Sequence, residues 1–176
     1  MDNNKVYIIS GPAGVGKSTI STELVKSLNR SAYISGDYVS HMHINGRRKP
    51  WESEEEHSLI WDNILSLTAN FIKYDNDVVI DYVSFPEAAK WLNENLKHFN
   101  AEVRYVVLLS DKDTLIKRDN LRKIEDRMGE RSLILLNEFI ESGVSQNHII
   151  DTTMHTVMDL HHIINDIINN PRFILE

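Results

Sequence analysis

Residues 11–19 read GPAGVGKST and follow directly on the apolar run VYIIS. Gly11, Gly16, Lys17 and Ser18 fit the spacing G-x-x-x-x-G-K-[ST]. Glycines at this density let the backbone curl until successive N–H groups point inward, a geometry that suits an anion. A helix starting where the loop ends adds its positive pole. At this spacing Lys17 can reach the β- and γ-phosphates of a nucleotide, and the Ser18 hydroxyl can ligate Mg²⁺. The competing reading is a plain glycine-rich turn. The strand before the loop and the helix after it favour the phosphate cradle. The expected nucleotide contacts are Gly11, Ala13, Gly14, Val15, Gly16, Lys17, Ser18 and Thr19, with Mg-ATP or Mg-GTP as the bound species.

The rest of the chain alternates strand-like and helix-like segments. Short β-rich runs stand at Lys5–Ser10, Ala32–Ser35, Asp77–Val83, Val103–Leu109 and His148–Asp151. Helical spacing marks Ser18–Asn29, Trp51–Tyr74, Pro86–His98, a segment from Asp111, Glu130–Ser142 and Val157–Ile168. Ser53 and Glu56 form a capping-box pattern at the head of the longest helix. Such alternation predicts a parallel sheet covered on both faces. Ligands of such sheets bind beyond the carboxyl ends of the strands. Gly11–Ser18, Asp37 and Asp81 all fall there.

Asp37 follows YISG at the end of the second strand. A carboxylate in that place can accept the proton of a substrate hydroxyl and orient it for in-line attack. The other reading is a turn and helix cap at Gly36-Asp37. Asp81 closes the apolar run VVI. It can hold Mg²⁺ directly or through water, together with Ser18, or it can bind the acceptor.

The segment 115–143, LIKRDNLRKIEDRMGERSLILLNEFIESG, is rich in arginine. Arg118 and Arg122 stand at i, i+4 on one helix face. They are expected near the nucleotide. Arg127 and Arg131 flank a break at Met128-Gly129, where a loop that closes over the phosphates would bring positive charge to the transfer. The interleaved Asp119, Glu125, Asp126 and Glu130 also permit a plain solvated, salt-bridged surface. Arg47, Arg48 and Lys49 read as solvated loop charge or as contacts to an anionic or polyhydroxy acceptor. Trp51, Trp61 and Trp91 read as packing residues. His41, His43 and His161-His162 lack metal-ligand spacing. Phe173, Ile174 and Leu175 are expected to dock on the body or to meet a partner.

Composition narrows the function classes. A net charge of -7 argues against broad nucleic-acid binding and leaves room for a small phosphorylated ligand. No apolar run is long enough to cross a bilayer, and the N-terminal stretch MDNNKVYIIS does not read as a signal peptide. There are no cysteines, so disulfides and thiolate metal sites are out. A length of 176 residues suits one domain, 1–176, in the cytoplasm, as a monomer or homodimer, and is short for a DNA-processing motor.

GPAGVGKST, SGD at the second strand, VVID at the third and the RDNLR segment together resemble the small P-loop kinases of the nucleoside-monophosphate-kinase-like group. Within that group the chain is most similar to bacterial gluconate-kinase-like proteins, and more distantly to shikimate kinase, chloramphenicol phosphotransferase and tunicamycin-resistance ATP-binding proteins. SGDYVSHMH is similar to the gluconate kinase segment that leads from an Asp into a histidine-containing substrate region. RDNLRK…GERSLILLNEFIESG is similar to its lid and following helix.

The resemblance implies a three-layer α/β P-loop NTPase fold: a five-stranded parallel sheet in order 2-3-1-4-5, helices on both faces, and a lid at about 118–131. It implies ATP and Mg²⁺ as cofactors. Lys17 and Ser18 would serve the phosphates and metal, and Asp37 would be the acceptor-side base. Arg118 and Arg122 would be lid or adenine-side contacts, with 148–153 beside the adenine. HINGRRKPW, residues 43–51, departs from the sugar-acid kinase pattern while keeping a Pro-Trp pair.

The expected function is transfer of the γ-phosphoryl group to a hydroxyl of a small metabolite, gluconate-like, or of an antibiotic. A nucleoside or nucleotide kinase is the second enzyme reading. An NTP-binding resistance or regulatory module without an acceptor is the third.

Overall fold

The computed structural model describes residues 3–176; Met1 and Asp2, the head of the N-terminal stretch, lie outside the described residues. Five strands form one sheet: β1 (Lys5–Ser10), β2 (Ser31–Ser35), β3 (Asp77–Asp81), β4 (Glu102–Leu109) and β5 (Ile149–Asp151). Their order is β2-β3-β1-β4-β5, and every pairing is parallel. The helices are α1 (Lys17–Ser27), α2 (Gly36–Met42), α3 (Glu54–Lys73), α4 (Pro86–Leu96), α5 (Lys112–Asn120), α6 (Glu130–Glu141) and α7 (Leu160–Asn169). This is the P-loop NTPase architecture that the resemblance implied.

The sheet is buried on both faces because its central strands are apolar at successive positions. On β1, Val6 and Ile8 join one core with Ile60, Trp61 and Ile64 of α3, Leu92 and Leu96 of α4, and Phe139 of α6. Tyr7 and Ile9 point the other way, into a second core with Ile20 and Leu24 of α1, Leu115 of α5, and Ile163 and Ile167 of α7. The three layers follow from that alternation.

Several element ends differ from the sequence expectation. Helix α1 begins at Lys17, so the lysine is itself helical. Strand β3 ends at Asp81, two residues short of Val83. Beyond it Ser84 turns inward, exchanging bonds of 2.8 Å with Ser10: its N–H donates to Ser10 Oγ, and its carbonyl accepts from the same hydroxyl. The stretch after Ser35 is a short helix, with Ser35 Oγ accepting from the Tyr38 amide at 3.3 Å. Helix α3 starts at Glu54 and leaves Trp51 outside it.

The C-terminal residues dock on the body. Phe173 is fully buried, and the Leu175 amide donates to the Val103 carbonyl at 2.9 Å. Arg104, buried on β4, donates to the carbonyls of Ile167 and Asn170 at 3.0 Å and ties this tail to α7. Among the described residues no helix is long and apolar enough to cross a membrane.

Candidate functional site: a phosphate-binding loop facing two carboxylates

The loop between β1 and α1 owes its shape to its glycines. Gly11, Gly14 and Gly16 have φ of 133°, 84° and 107°. At Gly11 a Cβ would run into the Leu108 carbonyl oxygen of β4, so both the dihedral and the close approach require glycine. The Lys17 ammonium curls over the loop and donates to the carbonyls of Gly11 and Pro12, each at 2.9 Å. Burial pushes its pKa down; the carboxylates of Asp81 and then Asp37 work against that shift, and the Arg122 guanidinium adds to it. One lysine therefore lies in the field of both aspartates that the sequence singled out and of one of the four arginines. Loop amides, lysine and helix terminus form a donor set that fits a polyphosphate chain.

Asp81 is nearly buried at the end of β3, in register with Ile9 of β1 and Ser35 of β2. Its Oδ2 accepts from the Tyr33 hydroxyl at 2.8 Å. Burial and the Asp81 charge push the Tyr33 phenol pKa well up, with Ser18 working the other way. Ser18 in the first turn of α1 and Asp81 at the end of β3 offer oxygen donors of the kind that suits Mg²⁺.

Asp37 stands in the first turn of α2 with its side chain exposed. Its carboxylate has no hydrogen-bond donor or ion-pair partner among the described residues; only its backbone carbonyl is engaged, with His41 Nδ1 at 2.6 Å. The preceding Gly36 is packed directly against the Tyr82 ring, where a Cβ could not fit. That contact fixes the start of α2 and so the place of Asp37.

The arginines divide. Arg118 reaches across from α5 to the loop after β5. It donates to Thr152 Oγ1 at 2.9 Å and to the Thr152 carbonyl at 2.7 Å, with longer bonds to the carbonyls of Val15 and His155. It joins the phosphate loop to residues 152–155. Arg122 lies 3.5 Å from Asp119, and its charge is felt at Lys17. Arg127 folds back, donating to the carbonyls of Arg122 and Asn120 at 3.1 and 2.7 Å. Arg131 pairs with Glu138 at 3.0 Å, and its guanidinium lies 5.4 Å from the centre of the Trp51 ring. The structure thus brings Arg118 and Arg122 to the loop and holds Arg127 and Arg131 on other partners.

Three residues that matter here escaped the sequence reading. Tyr33 supplies the hydrogen-bond donor to Asp81. Asp119, grouped there with surface charge, is buried and accepts from the amides of Met128 and Gly129 at 3.1 and 2.8 Å. Burial would raise its pKa, but these amides and Arg122 outweigh it and hold the carboxyl below its usual range. Glu56 matches only half of the capping box. The Ser53 hydroxyl accepts from its amide at 3.3 Å, while its carboxylate turns inward to His43 Nδ1 at 2.9 Å and the Arg48 amide at 3.3 Å. Burial works to raise its pKa; these two donors prevail and lower it. Its position in the sequence was the sole signal. Trp61 packs edge-on against Tyr82 and Trp91, as expected of a core residue, but Trp51 is about half exposed. No cluster of three His, Cys, Asp or Glu suited to a metal occurs among the described residues.

A family model described as "AAA domain" matches residues 8–141, from β1 to the end of α6. The chain belongs to this AAA-domain family. The matched span includes the phosphate loop, both aspartates and all four arginines. No curated protein matches. Among solved structures, the AAA-domain chain is similar to the tunicamycin resistance protein of Deinococcus radiodurans, with TM-score 0.65, 18% identity, and 95% and 96% of the two chains covered. It is similar to a gluconokinase from Sinorhizobium meliloti 1021, with TM-score 0.66, 14% identity, and 94% and 90% covered. A sugar kinase from Janibacter sp. HTCC2649 aligns at TM-score 0.67 and 11% identity over 99% and 100% of the chains. These likenesses carry the fold: this AAA-domain protein has the architecture of the small P-loop kinases.

Proposed function

We propose that the chain is an ATP- and Mg²⁺-dependent phosphotransferase that delivers the γ-phosphoryl group to a hydroxyl of a small molecule. The observation that carries this reading is the place of Asp37, just past the carboxyl end of β2 in the first turn of α2, with no partner for its carboxylate among the described residues. A nucleotide-binding switch has no need of a free carboxylate there. A kinase needs one to take the hydroxyl proton.

The loop amides and Lys17 would hold the β- and γ-phosphates. Ser18 and Asp81 would hold Mg²⁺, which supplies positive charge beside the phosphates when bound. Asp37 would orient the acceptor hydroxyl and receive its proton. The acceptor oxygen forms its bond to the γ-phosphorus, the bond to the bridging oxygen of ADP breaks, and ADP leaves. Arg122 would offset the developing charge. Arg127 and Arg131 would reach the phosphates after a rearrangement of the lid at about 118–131. Residues 1–176 would act as one domain, in the cytoplasm.

For the acceptor, a gluconate-like sugar acid or an antibiotic is favoured. The SGDYVSHMH segment and the names borne by the similar structures, a gluconokinase, a sugar kinase and a tunicamycin resistance protein, support this choice. The test is a coupled ADP-release screen over sugar acids, sugars, nucleosides and antibiotics, with the product identified by mass spectrometry. Asp37→Ala is expected to abolish transfer and to keep ATP binding by calorimetry. Turnover that survives Asp37→Ala would sink the assignment of the base.

A further inference from the structure

Glu56 is about 3% exposed, an unusual place for an ionised carboxylate in the first turn of a helix. Burying such a group is unfavourable unless donors replace its water. A residue needed only to cap α3 would stay at the surface and reach back to the Ser53 amide. Glu56 instead spans to the segment that follows α2. His43 Nδ1 lies 3.1 and 2.9 Å from its two oxygens, so that nitrogen carries the proton. The Arg48 amide donates to Oε2 at 3.3 Å. One carboxylate therefore grips both ends of the run 43–48.

The middle of that grip is set by Arg47. Its Nε donates to the Ser40 carbonyl at 3.0 Å and its Nη2 to the Ser40 hydroxyl at 2.9 Å, and Ser40 is itself buried on α2. The segment is thus tied on one side to the helix that carries Asp37 and on the other to α3. By contrast, the Arg48 guanidinium is exposed and has no protein partner among the described residues. The backbone is pinned and its cationic side chain is left free.

We propose that Glu56 is a positioning residue for the acceptor: by holding the 43–48 backbone between α3 and the helix that carries Asp37, it sets a wall of the acceptor site. This rests on the phosphotransferase reading. Glu56 touches neither the phosphate loop nor the reacting groups. Its loss should weaken acceptor binding and leave the nucleotide half of the site intact.

The test uses Glu56→Gln in the full chain, with three readouts. Hydrogen exchange at the Arg48 amide should quicken about 10-fold or more, the weight of one hydrogen bond to a charged group. The acceptor KM should rise by about the same factor, with kcat within roughly threefold. ATP affinity by calorimetry should not move. Unchanged exchange at Arg48, or a loss of kcat with KM intact, would overturn the proposal. If the unaltered protein phosphorylates no compound in the screen, the acceptor role fails with the phosphotransferase reading, and the exchange result alone still decides the grip. Should Glu56→Gln not fold, His43→Ala removes one donor from the more accessible side. It is expected to shift exchange and KM in the same direction by a smaller factor, and no shift in either would count against the proposal.

Discussion

Tyr33 on β2 and Asp81 on β3 are joined across neighbouring strands by a hydrogen bond of 2.8 Å, beside the phosphate loop. The phenol is the only donor to the Asp81 carboxylate among the described residues. It holds a nearly buried carboxylate. Tyr33→Phe removes that donor with little change of shape. The variant should lose about 1–3 kcal/mol of stability, as expected when a buried charged acceptor loses its partner. Urea unfolding of the two proteins measures the difference.

Gly11→Ala should be more disruptive than its one added carbon suggests. The residue sits at φ 133°, and the new methyl would meet the Leu108 carbonyl. A loss of about 2 kcal/mol, read as a fall in Tm of roughly 4–8 °C, is expected together with weaker ATP binding. Gly16→Ala is the control. It shares a positive φ of 107° and meets no atom within 4 Å, so its effect should be smaller.

Lys17→Ala and Asp37→Ala should part company in calorimetry. The first removes the loop's cation and should weaken Mg-ATP binding about 10-fold or more. The second removes only the unpaired carboxylate and should leave that affinity in place. Equal losses in both would mean that Asp37 serves the nucleotide, not the acceptor.

Asp119 should make the segment after α5 sensitive to acid. Its carboxyl lies below the usual range in the folded protein, so the folded state binds fewer protons than the unfolded one. Its contribution is therefore complete above the unfolded pKa, about 3.9, and is lost as pH falls through the folded value. Stability measured from pH 6 downwards should fall less steeply in Asp119→Asn than in the unaltered protein. The same variant should speed hydrogen exchange at Met128 and Gly129 at neutral pH.

Much of this arrangement could be read from the sequence. Continuous apolar strands and amphipathic helices declare a parallel sheet with two covered faces, and β4 is buried along nearly its whole length as its composition demands. The phosphate loop declared itself because its glycines are needed at fixed spacing. The short helix α2 did not, since its seven residues are too few for a periodic pattern and its start depends on Gly36 meeting Tyr82, 46 positions away in the chain. The inward turn of Glu56 was invisible for a related reason. A carboxylate three residues after a serine looks the same whether it bonds its own helix or a segment 13 positions earlier. The arginines show the limit most plainly. Their i, i+4 spacing suggested one helix face for Arg118 and Arg122, but α5 ends at Asn120 and leaves Arg122 in the turn beyond it, and only folding reveals that Arg118 is engaged by Thr152 while Arg127 is taken up by carbonyls of its own loop.

The two amide bonds that Asp119 accepts from Met128 and Gly129 make residues 120–127 a flap with both feet nailed to one plank. Swinging the whole of α6 inward would tear those feet loose. A shorter excursion, in which only the crest of the flap dips, leaves them standing. On that geometry Arg127 and Arg131 come to the phosphates only in a closure that first frees those feet, and until then Arg122, at the near edge, is the charge at hand.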